Sequence, residues 1–282
     1  PLTDYPPFST GCGRKPSPYD HEIGPAVLRP DGTVFATGAN LCGAGNTAIY
    51  DTHGSVTDTG KWKAGPPIPN GYDVADGPAS ILPDGNVLVD TSPAYGAGPS
   101  LFWEFGLDGS WIAINQPADL PASASTVHAR MLVTGSGSVM LLLTDSEDIW
   151  IYTKRGGWSY PDSWRPTICG GCYPKDVYIG QVNYAVDGTQ FNGLSQGAAY
   201  GDDAQSASNY PLVLFTNNAS GHKFYARTHD HSTMGVATGD ELVGTLFDIT
   251  PNIEPGPSTM VVIANGIPSL PVNIRVHPAP GN

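Results

Sequence analysis

His229-Asp230-His231 places two imidazoles two positions apart. On a strand, positions i and i+2 share a face, so both rings are spaced to grip one metal ion. Asp202 and Asp203 would add oxygen ligands if their loop converged on the pair. Imidazoles also satisfy buried backbone groups, and that structural use is the preferred reading, with His229 and His231 kept as the metal candidates. Gly193-Leu194-Ser195-Gln196-Gly197 matches the nucleophile-elbow pattern G-x-S-x-G, and Ser195, Asp202/Asp203 and His229 follow in Ser…Asp…His order. That pattern carries meaning only between a strand and a helix in an α/β sheet. Here the flanks are rich in Gly, so turns and local backbone bonding are preferred. Cys169-Gly170-Gly171-Cys172 has C-x-x-C spacing, but no second pair nearby completes a zinc site and no βαβ context suggests a redox site. Four cysteines allow three pairings. The preferred one joins Cys169 to Cys172, where two glycines permit a tight bridge, and Cys12 to Cys42, pinning an N-terminal arm to the first repeat. Asn218-Ala219-Ser220 is a glycosylation sequon.

The elements that would position these residues are read from a repeat. Gly24-Pro25-Ala26-Val27-Leu28-Arg29-Pro30-Asp31-Gly32 returns as Gly77-Pro78-Ala79-Ser80-Ile81-Leu82-Pro83-Asp84-Gly85, 53 positions on. A weaker third copy runs through Met131–Leu141. A second marker travels with the first: Gly60-Lys61-Trp62, Gly109-Ser110-Trp111 and Gly157-Trp158. Each unit reads as four short strands, the first two joined by a Pro-Asp-Gly turn in which Pro presets φ and Gly accepts positive φ. A repeat near 50 residues with four strands and Gly/aromatic markers predicts a propeller blade of kelch type, with a plain β-sandwich as the alternative.

Around Tyr160–Ile168 the repeat breaks at a Pro- and Trp-rich stretch. Seven strand-like runs follow, at Val177–Ile179, Asn183–Val186, Leu212–Thr216, Phe224–Arg227, Glu241–Phe247, Thr259–Ala264 and Val272–Val276, which fit an immunoglobulin-like sandwich. No segment holds a 3.6-residue period. The expected fold is therefore all-β: an N-terminal arm over 1–19, a partial kelch-type β-propeller of three blades over 20–163, and an immunoglobulin-like β-sandwich over 164–282.

Composition narrows the function classes. The chain has 282 residues with 35 Gly, 27 Pro and only 14% charged residues, which excludes a helical bundle. Lys and Arg number 13 against 26 Asp and Glu, a formal net charge of −13, so nucleic acid and anionic membrane surfaces are unsuitable partners. The longest wholly apolar stretch, Val139–Leu143, is far below a membrane span, so no membrane insertion is expected. The cysteines and the low lysine content suit an oxidising compartment. The chain begins at Pro1 without a signal-peptide pattern and reads as a processed or trimmed product, and an extracellular location is expected.

At these residues the chain resembles the galactose oxidase/kelch superfamily, specifically its secreted kelch-like members that end in an immunoglobulin-like (E-set) domain. The resemblance rests on Gly24–Gly32 and Gly77–Gly85, on Gly188–Gly197 with Tyr200-Gly201-Asp202-Asp203, on Tyr225–Val236, and on Val261–Ser269. It covers nearly all of 20–276, and Arg227–Val236 reads within it as a packing motif. Copper radical oxidases of this superfamily take a crosslinked tyrosine, a Tyr-His pair and a histidine of the C-terminal domain as ligands. Thr228-His229 matches the last, but Val127-His128 stands where the Tyr-His pair belongs, and valine ligates no metal. Family propellers close with about seven blades, and this chain supplies three. The resemblance implies that the chain is part of a longer protein or that its open faces meet another chain. The expected function is a secreted, non-catalytic module for surface attachment or assembly, with other protein chains as partners and glycans as candidate contacts through surface aromatics. No cofactor is expected. The alternative is a degenerate or truncated copper radical oxidase, with copper as its cofactor.

Overall fold

A computed structural model describes residues 23–38, 45–52, 60–74, 76–94, 96–201, 204–206 and 209–281. It is all-β: the described residues form sheets that are antiparallel but for one parallel strand pair, none closed into a barrel, and no α-helix. Contacts divide the chain into two units, one of residues 1–160 with 195–208, the other of 161–194 with 209–282.

The first unit opens with a four-stranded meander, β1 (Ile23–Leu28), β2 (Thr33–Gly38), β3 (Thr47–Asp51) and β4 (Lys61–Ala64). A second meander follows, β5 (Pro78–Ile81), β6 (Val87–Thr91), β7 (Leu101–Phe105) and β8 (Trp111–Ile114). The third has only three strands, β9 (Ala129–Val133), β10 (Val139–Leu143) and β11 (Ile149–Tyr152). The strand expected at Gly157-Trp158 does not form. Gly156 and Gly157 both take positive φ (91° and 83°), and this left-handed pair turns the chain away from an extended path. Trp158 instead packs edge-on against Tyr152, ring centroids 6.4 Å apart.

The repeated hairpin turn has one geometry throughout. The N–H of Gly32 donates to Arg29 O (3.0 Å), that of Gly85 to Leu82 O (2.8 Å) and that of Gly137 to Thr134 O (2.9 Å). The three glycines stand at φ 82°, 85° and 80°. This is a type I turn closed by a left-handed residue, which only glycine occupies without strain.

Alternation then assigns each sheet two faces. Val27 and Phe35 of the first sheet meet Ala79, Ile81, Val87, Val89 and Phe105 of the second. Phe35 stacks on Phe105 at 4.3 Å, with Trp111 at 4.9 Å from Phe105. The second sheet's other face, Leu82, Leu88 and Phe102, meets Ala129, Met131, Val139 and Leu141 of the third. Within that seam lies a buried charge. Glu104, 1% exposed, accepts hydrogen bonds from Tyr152 Oη, Asn86 Nδ2 (2.9 Å) and Lys154 Nζ (3.1 Å), and Lys154 also pairs with Asp84. Burial pushes the Glu104 carboxyl up, but the bonds from Tyr152, Asn86 and Lys154 outweigh it and hold the group below its ordinary value.

The second unit contributes β12 (Thr167–Ile168), β13 (Asp176–Tyr178) and β14 (Tyr184–Thr189). The chain then makes β15 (Ala198–Tyr200) and β16 (Ala204–Ser206), which belong to the first unit and extend its second sheet in the order β16-β15-β5-β6-β7-β8. A sandwich domain running unbroken over 164–282 does not describe this segment. Ser80 and Ala79 pair with Ala198 and Ala199, the Ile81 N–H donates to Gly197 O (2.7 Å), and Gln196 N–H donates to Leu28 O (3.1 Å). The remaining strands are β17 (Leu212–Asn217), β18 (Lys223–Tyr225), β19 (Arg227–His229), β20 (Val243–Asp248), β21 (Gly256–Ala264), β22 (Ile267–Pro268) and β23 (Val272–His277). They form two sheets, β12-β14-β20-β19 and β13-β23-β21-β17-β18 with β22 on β21. Val186, Val243 and Phe247 of one meet Val213, Phe215, Met260, Val262 and Ile274 of the other in a shared core. The single run expected over Phe224–Arg227 divides at Ala226, so that its halves serve different sheets.

Removing the Tyr152 hydroxyl leaves a buried carboxylate short of one donor. Tyr152→Phe is expected to cost about 1.5–3 kcal/mol in urea unfolding at an unchanged m-value. A loss below ~0.5 kcal/mol would show that Lys154 and Asn86 satisfy Glu104 without it.

Candidate functional site

The sequence-selected histidines lie in the second unit, and backbone geometry separates them. Strand β19 ends at His229 because Asp230 takes φ 47°, so His229 and His231 are not on one extended run and the shared-face argument fails. His229 is held between two carboxylates, with Nδ1 2.7 Å from Asp230 Oδ2 and Nε2 3.0 Å from Asp248 Oδ1. Asp248 is fixed in turn by the Asn183 N–H at 3.0 Å, with Arg227 at 4.0 Å. His231 turns elsewhere: Nδ1 bonds Thr245 Oγ1 at 2.9 Å and the ring stacks on Tyr210, centroids 6.2 Å apart. The bonds to Asp230 and then Asp248 raise the His229 pKa. Burial, with the neighbouring His229 charge, lowers that of His231. The Asn183 N–H and His229 hold Asp248 below its ordinary value against the opposing effect of desolvation.

An imidazolium donating from both nitrogens keeps no lone pair, so His229 is neither a base nor a metal ligand in this arrangement. Among the described residues, no group of three or more His, Cys, Asp or Glu side chains gathers as a metal site. The copper ligand set does not fit either. Val127 presents a carbonyl that accepts a 2.9 Å bond from Tyr200 Oη, and His128 Nδ1 lies 3.4 Å from Ser125 Oγ.

The remaining candidates fall in structural roles. Ser195 is buried and leads into strand β15, not into a helix, so the nucleophile elbow is absent. Asp202 and Asp203 lie outside the described residues, as do Cys12 and Cys42. Cys169 and Cys172 are paired, with Cα atoms 5.2 Å apart and Gly171 at φ 92° between them. This knuckle clips onto β14, since Cys169 N–H donates to Asp187 O and Asp187 N–H to Cys172 O, both 3.0 Å. Asn218 sits exposed on the turn after β17.

Sequence reasoning missed the most perturbed acid. Asp90 of β6 is fully buried, receives the Ser100 hydroxyl at 3.2 Å on Oδ2, and has no partner for Oδ1 among the described residues. Burial pushes its pKa up to about 8 despite the opposing bonds from Ser100 and the Thr91 backbone. A neutral carboxylic acid results, closed off from solvent. The only signal in the sequence is an Asp where Val87-Leu88-Val89 continues an apolar strand.

Two pH responses follow. The folded chain keeps the Asp90 proton that the unfolded chain releases near 3.8, so stability falls as pH rises from about 4 to about 8. Asp90→Asn is expected to raise the urea midpoint at pH 8 relative to the parent, with the gap closing at pH 4; a pH-independent gap would show that Asp90 does not titrate there. His229, whose folded pKa is also raised, changes stability with pH in the same direction, here through its charged form. Its contribution is complete below 6.5, the ordinary histidine value, and is lost as pH rises through the raised folded value. An NMR titration should place His229 above 6.5, and Asp248→Asn should bring it down; an unmoved value in Asp248→Asn would remove Asp248 as a cause.

No protein-family profile and no curated protein matches the chain. Among solved structures it is similar to the extracellular domain assigned to a hybrid two-component system of B. thetaiotaomicron, at 11% identity and a TM-score of 0.29. That match covers 92% of this chain and 32% of the other, so the chain spans about a third of that protein's length. No helix among the described residues is long and apolar enough to cross a membrane.

Proposed function

We propose that the chain is a secreted, non-catalytic assembly and attachment module of the kelch-like, galactose oxidase-related kind, with three propeller blades and an immunoglobulin-like sandwich. The blade reading is supported by consecutive meanders that pack face to face with one recurring turn. The sandwich reading is supported by two sheets around one core, and the extracellular reading by the Cys169–Cys172 pair.

The observation that carries the function is the uncovered face of the third sheet. Its strands pair Leu132 with Met140 and Met140 with Ile151, and Leu142 with Ile149. Alternation puts these side chains on the face away from the second sheet, where Leu132, Ile149 and Ile151 are 38%, 55% and 53% exposed. Strand β11 is the edge, with its outer backbone groups paired by no other strand among the described residues. The matching residues of the second sheet, Leu82, Leu88 and Phe102, are covered by the third. The molecule's own packing rule thus specifies the occupant: the opposite face of a sheet of the same repeat. A second copy carries such a face on its first sheet, lined by Leu28, Val34, Tyr50 and Trp62, and the contact is heterologous. The net charge of −13 does not forbid this, because screening acts within about 8 Å at physiological salt.

Light scattering in neutral buffer should report a mass at least twice 29.6 kDa, and the double variant I149E/I151E should return it to the monomer with its melting profile retained. A parent protein that stays at the monomer mass at ~50 µM would overturn the proposal.

A further inference from the structure

The sandwich carries a flat aromatic and polar face that neither its core nor its cysteine knuckle uses. Strand β13 runs parallel to β23, pairing Asp176 with Arg275, Val177 with Val276 and Tyr178 with His277. Val177 and Val276 turn into the core, 0% and 1% exposed, so period-two alternation turns Asp176, Tyr178, Arg275 and His277 outward together. On the next strand, Pro257 stands beside Arg275 and Thr259 beside Asn273, extending the same outer face.

The centre of this face is preorganised. Tyr178 is 40% exposed, and its ring stacks on His277 with centroids 4.8 Å apart and planes 22° from parallel. His277 is pinned by Nε2 at 2.6 Å from Asp176 Oδ1, and the Tyr178 N–H is held by Tyr184 Oη at 3.0 Å. β13 is the edge strand among the described residues, so the partly exposed Tyr178 ring lies at the sheet margin. Beside it, hydrogen-bonding capacity is left over: among the described residues, Asp176 Oδ2 and the Arg275 guanidinium have no protein partner and Arg275 is exposed, and farther along β23 the exposed Asn273 amide has none either. Burial of an aromatic pair alone would explain neither the exposure of the ring nor the two planar polar groups beside it that are free of protein partners.

We propose that this face binds a neutral hexopyranose chain, with the apolar C–H face of one sugar on Tyr178, its hydroxyls on Asp176 and Arg275, and a further sugar of the same chain reaching Asn273, four residues along β23 from His277 and so roughly 13 Å away. Planar carboxylate, guanidinium and amide groups offer paired donors and acceptors matched to vicinal hydroxyls, and a ring fixed in advance loses little side-chain entropy on binding. The charges facing the site, Asp176 and Arg275, are of opposite sign, while the whole chain carries −13, so an uncharged glycan fits better than an acidic one. The site would give the attachment reading above its ligand class, but it stands on different residues from the assembly face.

The test is isothermal titration of the full chain with hexasaccharides of β-1,4-linked glucose, β-1,4-linked mannose and β-1,4-linked galactose. At least one is expected to bind in the millimolar range or better, with Tyr178→Ala weakening it at least tenfold, Tyr178→Phe retaining it within about twofold, and Arg275→Ala weakening it severalfold. Melting profiles establish that the variants are folded, and chemical-shift changes on binding should centre on β13 and β23. No binding by any of the three at 10 mM, or undiminished binding by folded Tyr178→Ala, would overturn the proposal. I149E/I151E should bind sugar as the parent does, so loss of assembly with retained binding overturns neither site, while assembly without sugar binding overturns only this one.

Discussion

A strand alternates its side chains between two faces, and in the first unit both faces of each sheet are apolar. Water penalises such a surface by roughly 25 cal/mol per Å², so each face needs a neighbour of matching shape. Phe35, Phe105 and Trp111 fill the first seam as a wedge of rings, and Leu88, Phe102, Met131 and Leu141 fill the second. Turn geometry, strand length and the recurrence of small residues at Ala26 and Ala79 all serve this stacking. The rule has no natural end, and the third sheet accordingly leaves Ile149 and Ile151 in water.

The same demand applies to backbone groups. A sheet edge is a row of donors and acceptors that must be paired or hydrated. In the second sheet the inner edge, β5, is fully buried, and the pairing comes from β15, more than a hundred residues later in the chain. Gly197, Ala198 and Ala199 are small enough to approach that edge closely, and Pro78, which has no N–H to offer, stands where the pairing ends, beside Tyr200. Tyr200 then anchors the segment through its bond to Val127 O and the Arg130 guanidinium over its ring.

Titratable groups in this chain are spent on structure where they are buried. Glu104 remains ionised in a seam because three donors converge on it, whereas Asp90, with one hydroxyl, a backbone N–H and an orphan oxygen, keeps its proton. His229 exhausts both nitrogens on Asp230 and Asp248. Those commitments remove the catalytic and metal readings of the same residues, and they direct attention outward, to side chains whose bonding capacity is left over at the surface.

The all-β class, the repeat, its turns and the break near residue 160 were legible in the sequence, because each rests on local physics: period-two alternation, the fixed φ of Pro and the positive φ open to Gly. The Cys169–Cys172 pair was legible for the same reason, being a contact between residues three apart. The long-range decisions were not. That Ser195–Ser208 belongs with the first unit depends on an unpaired edge far away in the chain, and that β18 and β19 serve different sheets depends on which core each half meets. The histidine pair looked like a ligand set because spacing assumes an extended backbone, and the left-handed Asp230 breaks that assumption. Asp90 and Glu104 differ in charge state only through their neighbours in space. Local preference writes the elements of this protein; partners brought together by folding decide what its polar side chains do.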